Sequence, residues 1–302
     1  MKTPYLLHMF NSTKNVSPFD VNMAYEANFD GVIPYSEVTL DDIYALTQDT
    51  IFSRGKAGIK NTGIFIGGRE LGLAIDMYNR AKSAMIPPFE VSVFVDPSGA
   101  ITTAAALVAC IEVQLKREWN ESLSGKRVDI ISGTGPVGIC AAVLTVNCGA
   151  TVYVSSHKGI DIADKIISEY NRRFNVTISV ADCSTQEKLS ETLSQSDVVI
   201  GTAKAGVQII SGQQLEQASN LLVAADINAV PPLGIEGIGT YDKNKKLVAT
   251  PKKAIGIGAL AVGDIKYKVH TRILEIMKHT EKPIYIDHEE ALKIARECAI
   301  RL

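Results

Sequence analysis

The feature that most constrains this chain is a glycine loop set between a strand and a helix. Residues 127–132 (Arg-Val-Asp-Ile-Ile-Ser) have the short apolar character of a buried strand. Gly133-Thr134-Gly135-Pro136-Val137-Gly138 follows at once, and residues 137–148 continue as an apolar helix stopped by Gly149. A lone GxGxxG is a weak signal, because glycines cluster in turns. Flanked by strand and helix, it predicts a dinucleotide-binding βαβ unit. Gly133 then permits the tight turn, Gly135 lets a pyrophosphate reach the backbone, and Gly138 lets helix and strand pack closely. The helix start adds free N–H groups and a positive dipole end. The plainer alternative is a glycine-rich turn with no ligand. A Walker phosphate loop is excluded, since no Gly-Lys-Ser/Thr follows.

Strand and helix patterns alternate beyond this point. Strands are expected at residues 151–155, 177–180, 197–201 and 221–226, with helices at 162–174 and 188–194 between them. Short apolar strands separated by amphipathic helices make a parallel sheet covered on both faces, here a Rossmann-type doubly wound sheet. Before it, residues 5–10, 31–34, 63–67 and 90–95 read as strands and 71–85 as a helix, giving a smaller N-terminal α/β domain. The linker is expected at 119–126 (Trp-Asn-Glu-Ser-Leu-Ser-Gly-Lys). Helices at 264–278 and 287–301 are expected to pack back on the first domain, and 241–253 to form an exposed charged loop. The expected division is therefore 1–122, 123–260 and 261–302, the last being C-terminal helices.

Composition narrows the function classes. With 31 Lys and Arg against 33 Asp and Glu, the net charge is -2, so nothing argues for nucleic acid, whose binders carry clustered excess cations. No uninterrupted apolar run reaches the roughly 18 residues expected of a membrane span, and no charged-then-apolar leader opens the chain. The 5 cysteines (Cys110, Cys140, Cys148, Cys183, Cys298) form no CxxC pair, which suits buried thiols in a reducing cytoplasm better than disulfides or a metal site.

The second strand of the nucleotide domain decides between cofactors. NAD sites commonly place an Asp or Glu about 20 residues past the glycines, on the ribose hydroxyls. Here the strand ends Val154-Ser155-Ser156-His157-Lys158, with no carboxylate. Hydroxyls and cations at Ser156, His157 and Lys158 suit a 2′-phosphate, so NADP is expected, with NAD admitted; the alternative is that His157 and Lys158 simply face water. Thr202 and Ala203, after the fourth strand, are small residues suited to a nicotinamide crossing the sheet edge. Asp226 and Asn228, before Val230-Pro231-Pro232, either line that cleft or shape the turn.

Several segments together resemble the NAD(P)-dependent methylene-tetrahydromethanopterin dehydrogenases of methylotrophic bacteria, some of which use methylene-tetrahydrofolate. They are the glycine loop, Ala225-Asp226-Ile227-Asn228-Ala229-Val230-Pro231-Pro232-Leu233-Gly234-Ile235, Ile255-Gly256-Ile257-Gly258-Ala259-Leu260, Pro18-Phe19-Asp20, Thr50-Ile51-Phe52-Ser53-Arg54-Gly55, Ile64-Phe65-Ile66-Gly67-Gly68 and Thr102-Thr103-Ala104-Ala105-Ala106. They fall in the same order along nearly the whole chain. The resemblance implies a pterin substrate bound between the domains opposite the nicotinamide, and a homo-oligomer, trimer or hexamer. It also implies a substrate-binding and catalytic role for Lys266 in Asp264-Ile265-Lys266-Tyr267-Lys268-Val269-His270. Members with strict NADP preference carry Arg-Lys after the second strand, where this chain has His157-Lys158.

The residues themselves offer no nucleophile–base pair, HExxH or metal-ligand cluster. Alcohol oxidation needs a base for the hydroxyl proton. A methylene between two nitrogens does not: nitrogen lone pairs expel the hydride and the product is a stabilised methenyl cation. Positioning then suffices. Asp20, Thr102, Thr103 and Lys266 are the candidates. Asp20 either meets the pterin or caps a helix starting at Val21; Thr102 and Thr103 either meet the pterin or cap the helix running through Ala104. His270 is expected to be a satisfied structural histidine. Two other functions stand beside the dehydrogenase, a non-catalytic NADP sensor and a dehydrogenase of a small hydroxy acid.

Overall fold

In the computed structural model, which describes residues 3–300, the strands pair into two sheets, one of five strands and one of seven. The elements run β1 (Leu6–Asn11), α1 (Pro18–Glu26), β2 (Gly31–Tyr35), α2 (Asp42–Phe52), α3 (Lys56–Lys60), β3 (Thr62–Gly67), α4 (Leu71–Ser83), β4 (Ser92–Val95) and α5 (Ala100–Trp119). Then come β5 (Arg127–Ile131), α6 (Pro136–Asn147), β6 (Thr151–Val154), α7 (Ile160–Phe174), β7 (Ser179–Val180), α8 (Gln186–Gln195), β8 (Val198–Gly201), α9 (Gly212–Glu216) and β9 (Val223–Asp226). The chain closes with β10 (Lys245–Lys246), β11 (Ile255–Ile257), α10 (Ala259–His279), β12 (Tyr285–Ile286) and α11 (His288–Ala299).

Packing divides the chain into Met1–Thr102 with Tyr267–Ile294, and Thr103–Lys266 with Ala295–Leu302. In the first unit the sheet order is β12-β4-β3-β1-β2, and every pairing is parallel. Its central strands β3 and β4 are buried at every position, which is why they read as continuous apolar runs and not as alternations. In the second unit the order is β10-β11-β9-β8-β5-β6-β7, parallel except where β10 meets β11. Leaving out that short antiparallel edge, the chain steps outward from β5 through β6 to β7, returns to β8 beside β5, and steps outward again. This is the doubly wound order of dinucleotide-binding sheets.

The structure revises several local expectations. α1 begins at Pro18, not Val21, because proline at the first helical position fits the fixed backbone angle and needs no donor. Residues 241–253 are not wholly a loop: β10 pairs with β11, and Leu247 is buried in the apolar cluster beneath β8 and β9. A two-residue strand, β12, joins β4 in the first unit, where only helices were expected. The turn at 119–126 joins α5 to β5, while the packing units divide inside α5, between Thr102 and Thr103. The expected helix end at Arg301 lies outside the described residues.

Pro97–Trp119, a turn running into α5, is long and apolar enough to cross a bilayer by length and composition alone. Of its apolar window, 78% is buried inside the protein, as in the core helix of a layered α/β body.

Candidate functional site

In the second unit β5 sits between β6 and β8, so the segments leaving β5 and β8 diverge from neighbouring strand ends. Ligands of such sheets bind in the crevice this opens. The glycine loop lies there and its three glycines differ in what confines them. A Cβ on Gly133 would stand 2.6 Å from Ile130 Cγ2, and one on Gly138 2.4 Å from the Gly133 carbonyl oxygen. Both glycines are demanded by the protein's own packing. A Cβ on Gly135 would meet nothing within 4 Å. Gly135 is also the N-cap of α6 and has no side chain with which to satisfy the first N–H groups. Open space above uncapped amides is what a pyrophosphate fits, so these residues suit a dinucleotide. Thr134 and Val137 are half-buried beside this space, and Gly135 and Pro136 are exposed.

The end of β6 is stitched to the loop. The Gly133 N–H donates to the Ser155 carbonyl at 2.9 Å, and the Ser132 N–H to Ser155 Oγ at 3.2 Å. Ser156 Oγ accepts the Lys158 N–H at 3.1 Å and lies 3.4 Å from Thr134 Oγ1. His157 and Lys158 are exposed at the turn that follows. We expect Lys158→Ala to raise the KM for NADP roughly tenfold, the size of one charge-assisted hydrogen bond, and to leave that for NAD nearly unchanged. Steady-state kinetics with both cofactors reads this, and equal changes would remove Lys158 from the phosphate.

The residues after β8 and β9 prove to be builders of the crevice. Thr202 Oγ1 donates to the Ser132 carbonyl at 3.2 Å, tying β8 to the glycine loop, with Ala203 half-buried next to it. Asp226 is 2% exposed and accepts from the Asn228 and Ile235 N–H groups at 3.0 and 3.1 Å. Burial pushes its carboxyl above the ordinary carboxylate range, against the pull of the backbone donors Asn228, Ile235 and Gly234. Asn228 accepts from Val230 N–H at 2.9 Å and Gly206 N–H at 3.2 Å, and donates to the Pro232 carbonyl at 2.9 Å. Of the two roles open to Asp226 and Asn228, their side chains fill the turn-shaping one.

The first unit has its own switch point, between β1 and β3. Asp20 follows β1 as the third residue of α1 and is 4% exposed. The N-cap is Ser17, so the capping role considered for Asp20 falls away. Asn11, which the sequence did not single out, folds the loop before α1 by donating to the Thr13 and Asn15 carbonyls at 2.7 and 3.1 Å. At the end of β4, Asp96 is fully buried and accepts from the Ile101 and Thr102 N–H groups at 2.9 and 3.1 Å and from Thr102 Oγ1 at 2.6 Å. Thr102 is 0% exposed. Its hydroxyl holds the capping carboxylate of α5, the helix-capping alternative, and half-buried Thr103 follows it. Asp96 was missed, although Asp-Pro-Ser-Gly ahead of an apolar helix is a cap signal. On α10, Lys266 is half-buried and Lys268 exposed, while His270 is buried.

Residues 18–98 match the family model described as methylene-tetrahydromethanopterin dehydrogenase, N-terminal. Over 295 residues, 97% of this chain and 98% of the relative, the chain is 43% identical to the NAD(P)-dependent methylenetetrahydromethanopterin dehydrogenase of Methylorubrum extorquens. The chain belongs to the methylenetetrahydromethanopterin dehydrogenase family. A second relative in the same organism, the bifunctional protein MdtA, is 32% identical over 97% of this chain and 99% of its own length. Among solved structures, the NAD-dependent malic enzyme of Thermotoga maritima superposes with a TM-score of 0.58 at 12% identity, covering 99% of this chain and 84% of that one. That likeness speaks for the α/β fold alone. In this family member the cysteines are free thiols, and burial raises Cys110 to about 12 and Cys148 to about 11, away from thiolate chemistry. Among the described residues no group of three or more His, Cys, Asp or Glu is placed to hold a metal ion.

Proposed function

We propose that this chain takes a hydride from the methylene carbon of methylene-tetrahydromethanopterin, or of methylene-tetrahydrofolate, and delivers it to NAD(P), leaving the methenyl form. The observation that carries this reading is the 43% identity to such a dehydrogenase along 97% of the chain. The open face of Gly135 at the head of α6 supports the nucleotide half.

Bound NAD(P) supplies the hydride acceptor at its nicotinamide C4. Gly133, Thr134, Gly135, Pro136 and Val137 hold the pyrophosphate, and Ser156, His157 and Lys158 meet the 2′-phosphate of NADP. Thr202, Asp226 and Asn228 keep the crevice walls in place, with Ala203 beside them. Asp20, Thr103 and Lys266 position the pterin, with Thr102 supporting through Asp96. In this reading the Asp20 carboxylate offsets the positive charge that grows on the pterin as hydride leaves. No proton has to move in the step, so a site without a base meets its demands. In these terms residues 1–122 serve the pterin, 123–260 the nucleotide, and 261–302 contribute Lys266. The family likeness also supports a homo-oligomer, trimer or hexamer, at work in the cytoplasm.

The test is a cuvette assay of the purified protein with each methylene-pterin and with NADP or NAD, followed at the reduced-nicotinamide band. Pterin-dependent reduction is expected with at least one pair. No reduction with either pterin and either cofactor would leave the reading without support.

A further inference from the structure

His270 lies on α10 one helical turn after Lys266 and is 0% exposed. It is not the satisfied histidine expected from the sequence, for neither ring nitrogen has a hydrogen-bond partner. Its Nδ1 stands 3.4 Å from Asp96 Oδ2, within ion-pair reach and long for a hydrogen bond. Aromatic rings enclose the rest of the imidazole. Phe94 and Phe19 meet it nearly edge-on at 5.2 and 5.7 Å between centroids, and Phe65 lies tilted at 6.0 Å.

These neighbours are not arbitrary. Phe19 immediately precedes Asp20 in α1, and Asp96 caps α5 one residue short of Thr103 through Ile101 and Thr102. One buried imidazole thus touches the supports of the elements that carry Asp20 and Thr103, and it sits on the helix that carries Lys266. Apolar contacts are non-directional and let a helix turn or slide by small amounts. A polar pair sealed among aromatic rings does not, because moving the imidazole away from the fixed Asp96 carboxylate leaves it in low dielectric with no polar group beside it. Rotating α10 by one residue, about 100°, would turn Val269 or Thr271 towards Asp96 in place of the imidazole.

We propose that His270 is a positioning residue for hydride transfer, which with Asp96 locks the rotation of α10 and so aims Lys266 at the substrate. The proposal rests on the function argued above. A displacement of about 1 Å at a reacting geometry is enough to cost on the order of 10²-fold in rate, so a loosened helix acts on turnover and not on nucleotide binding.

The experiment compares His270→Gln and His270→Phe in the otherwise intact protein, each also combined with Lys266→Ala. Phenylalanine fills the same aromatic cage, and Asp96 keeps its three hydrogen bonds from Ile101 and Thr102. The expected result is a drop in kcat of at least about tenfold for both single variants, since a lost aim of well under 1 Å already suffices. The KM for NADP should be unchanged, and His270→Phe should melt close to wild type. In the Lys266→Ala background the same substitutions should add less than about threefold, because residues acting as one unit are non-additive. Full turnover in the single variants would overturn the proposal, as would losses that multiply in the double variants. Failure of both single variants to fold would mark His270 as purely structural and overturn it too. Wild-type protein inactive on both pterins would overturn the function and this proposal together, whereas active wild type with multiplying losses overturns this proposal alone.

Discussion

Lys266→Ala is expected to lower turnover by about 10²-fold or more and to leave NADP affinity nearly unchanged. The size follows from the kind of step. Where hydride leaves without a proton, catalysis consists of holding the methylene carbon at near-attack distance, and loss of a positioning contact falls on kcat. The insulation of NADP follows from the fold: the nucleotide crevice is made by segments after β5, β6, β8 and β9, and Lys266 belongs to none of them. Lys268, exposed on the same helix, serves as the control, and its alanine variant should change kcat less than about twofold, as surface substitutions do. Stopped-flow measurement of the hydride step, with titration of NADP by fluorescence, separates the two quantities. Near-normal turnover would remove Lys266 from the substrate. A steep pH–rate profile that vanishes with the substitution would make it an acid or base instead.

The glycine loop supplies the second large effect, and it separates folding from binding. Gly135→Ala should melt like wild type, because its Cβ enters empty space and its backbone is ordinary extended, with φ -81 and ψ 168. Its NADP affinity should nevertheless fall by about tenfold or more, since the methyl group occupies the face against which the pyrophosphate packs. Gly138→Ala should do the reverse. Its Cβ would stand 2.4 Å from the carbonyl oxygen and 2.6 Å from the Cα of Gly133, backbone atoms that move only with the loop. A stability loss of about 1–3 kcal/mol is the usual consequence of such overpacking. Thermal melts and isothermal titration of the two variants read the contrast. If Gly135→Ala both melts and binds normally, no phosphate lies against that face.

The nucleotide sheet was legible in the sequence because its signals are local. A parallel strand buried on both faces is a run of Val and Ile, as in Val198–Gly201, and the glycine loop announces the turn after β5. In the first unit β3 and β4 were readable for the same reason. What escaped were features set by distant partners. β12 is two residues long and becomes a strand only because β4 lies beside it. Leu247 looked like part of a charged loop, yet it packs beneath β8 and β9. The site shows the same split. Asp226 and Asn228 are polar residues at a strand's end, a position equally fit for a ligand or a turn, and only their backbone partners decide between these. Asp96 carries a local cap signal, Asp-Pro-Ser-Gly ahead of an apolar helix. His270 had none, since its burial among Phe19, Phe65 and Phe94 joins residues up to 251 positions apart in the chain.

The central claim is that hydride passes directly from the methylene carbon to the nicotinamide without a proton acceptor. A single turnover with pterin carrying two deuterium atoms on its methylene carbon, in ordinary water, tests it most directly. Mass spectrometry of the reduced cofactor should find one deuterium per molecule, and the same reaction with unlabelled pterin in heavy water should find none. Reduced cofactor that lacks the substrate's deuterium, or that takes its label from solvent, would contradict the account.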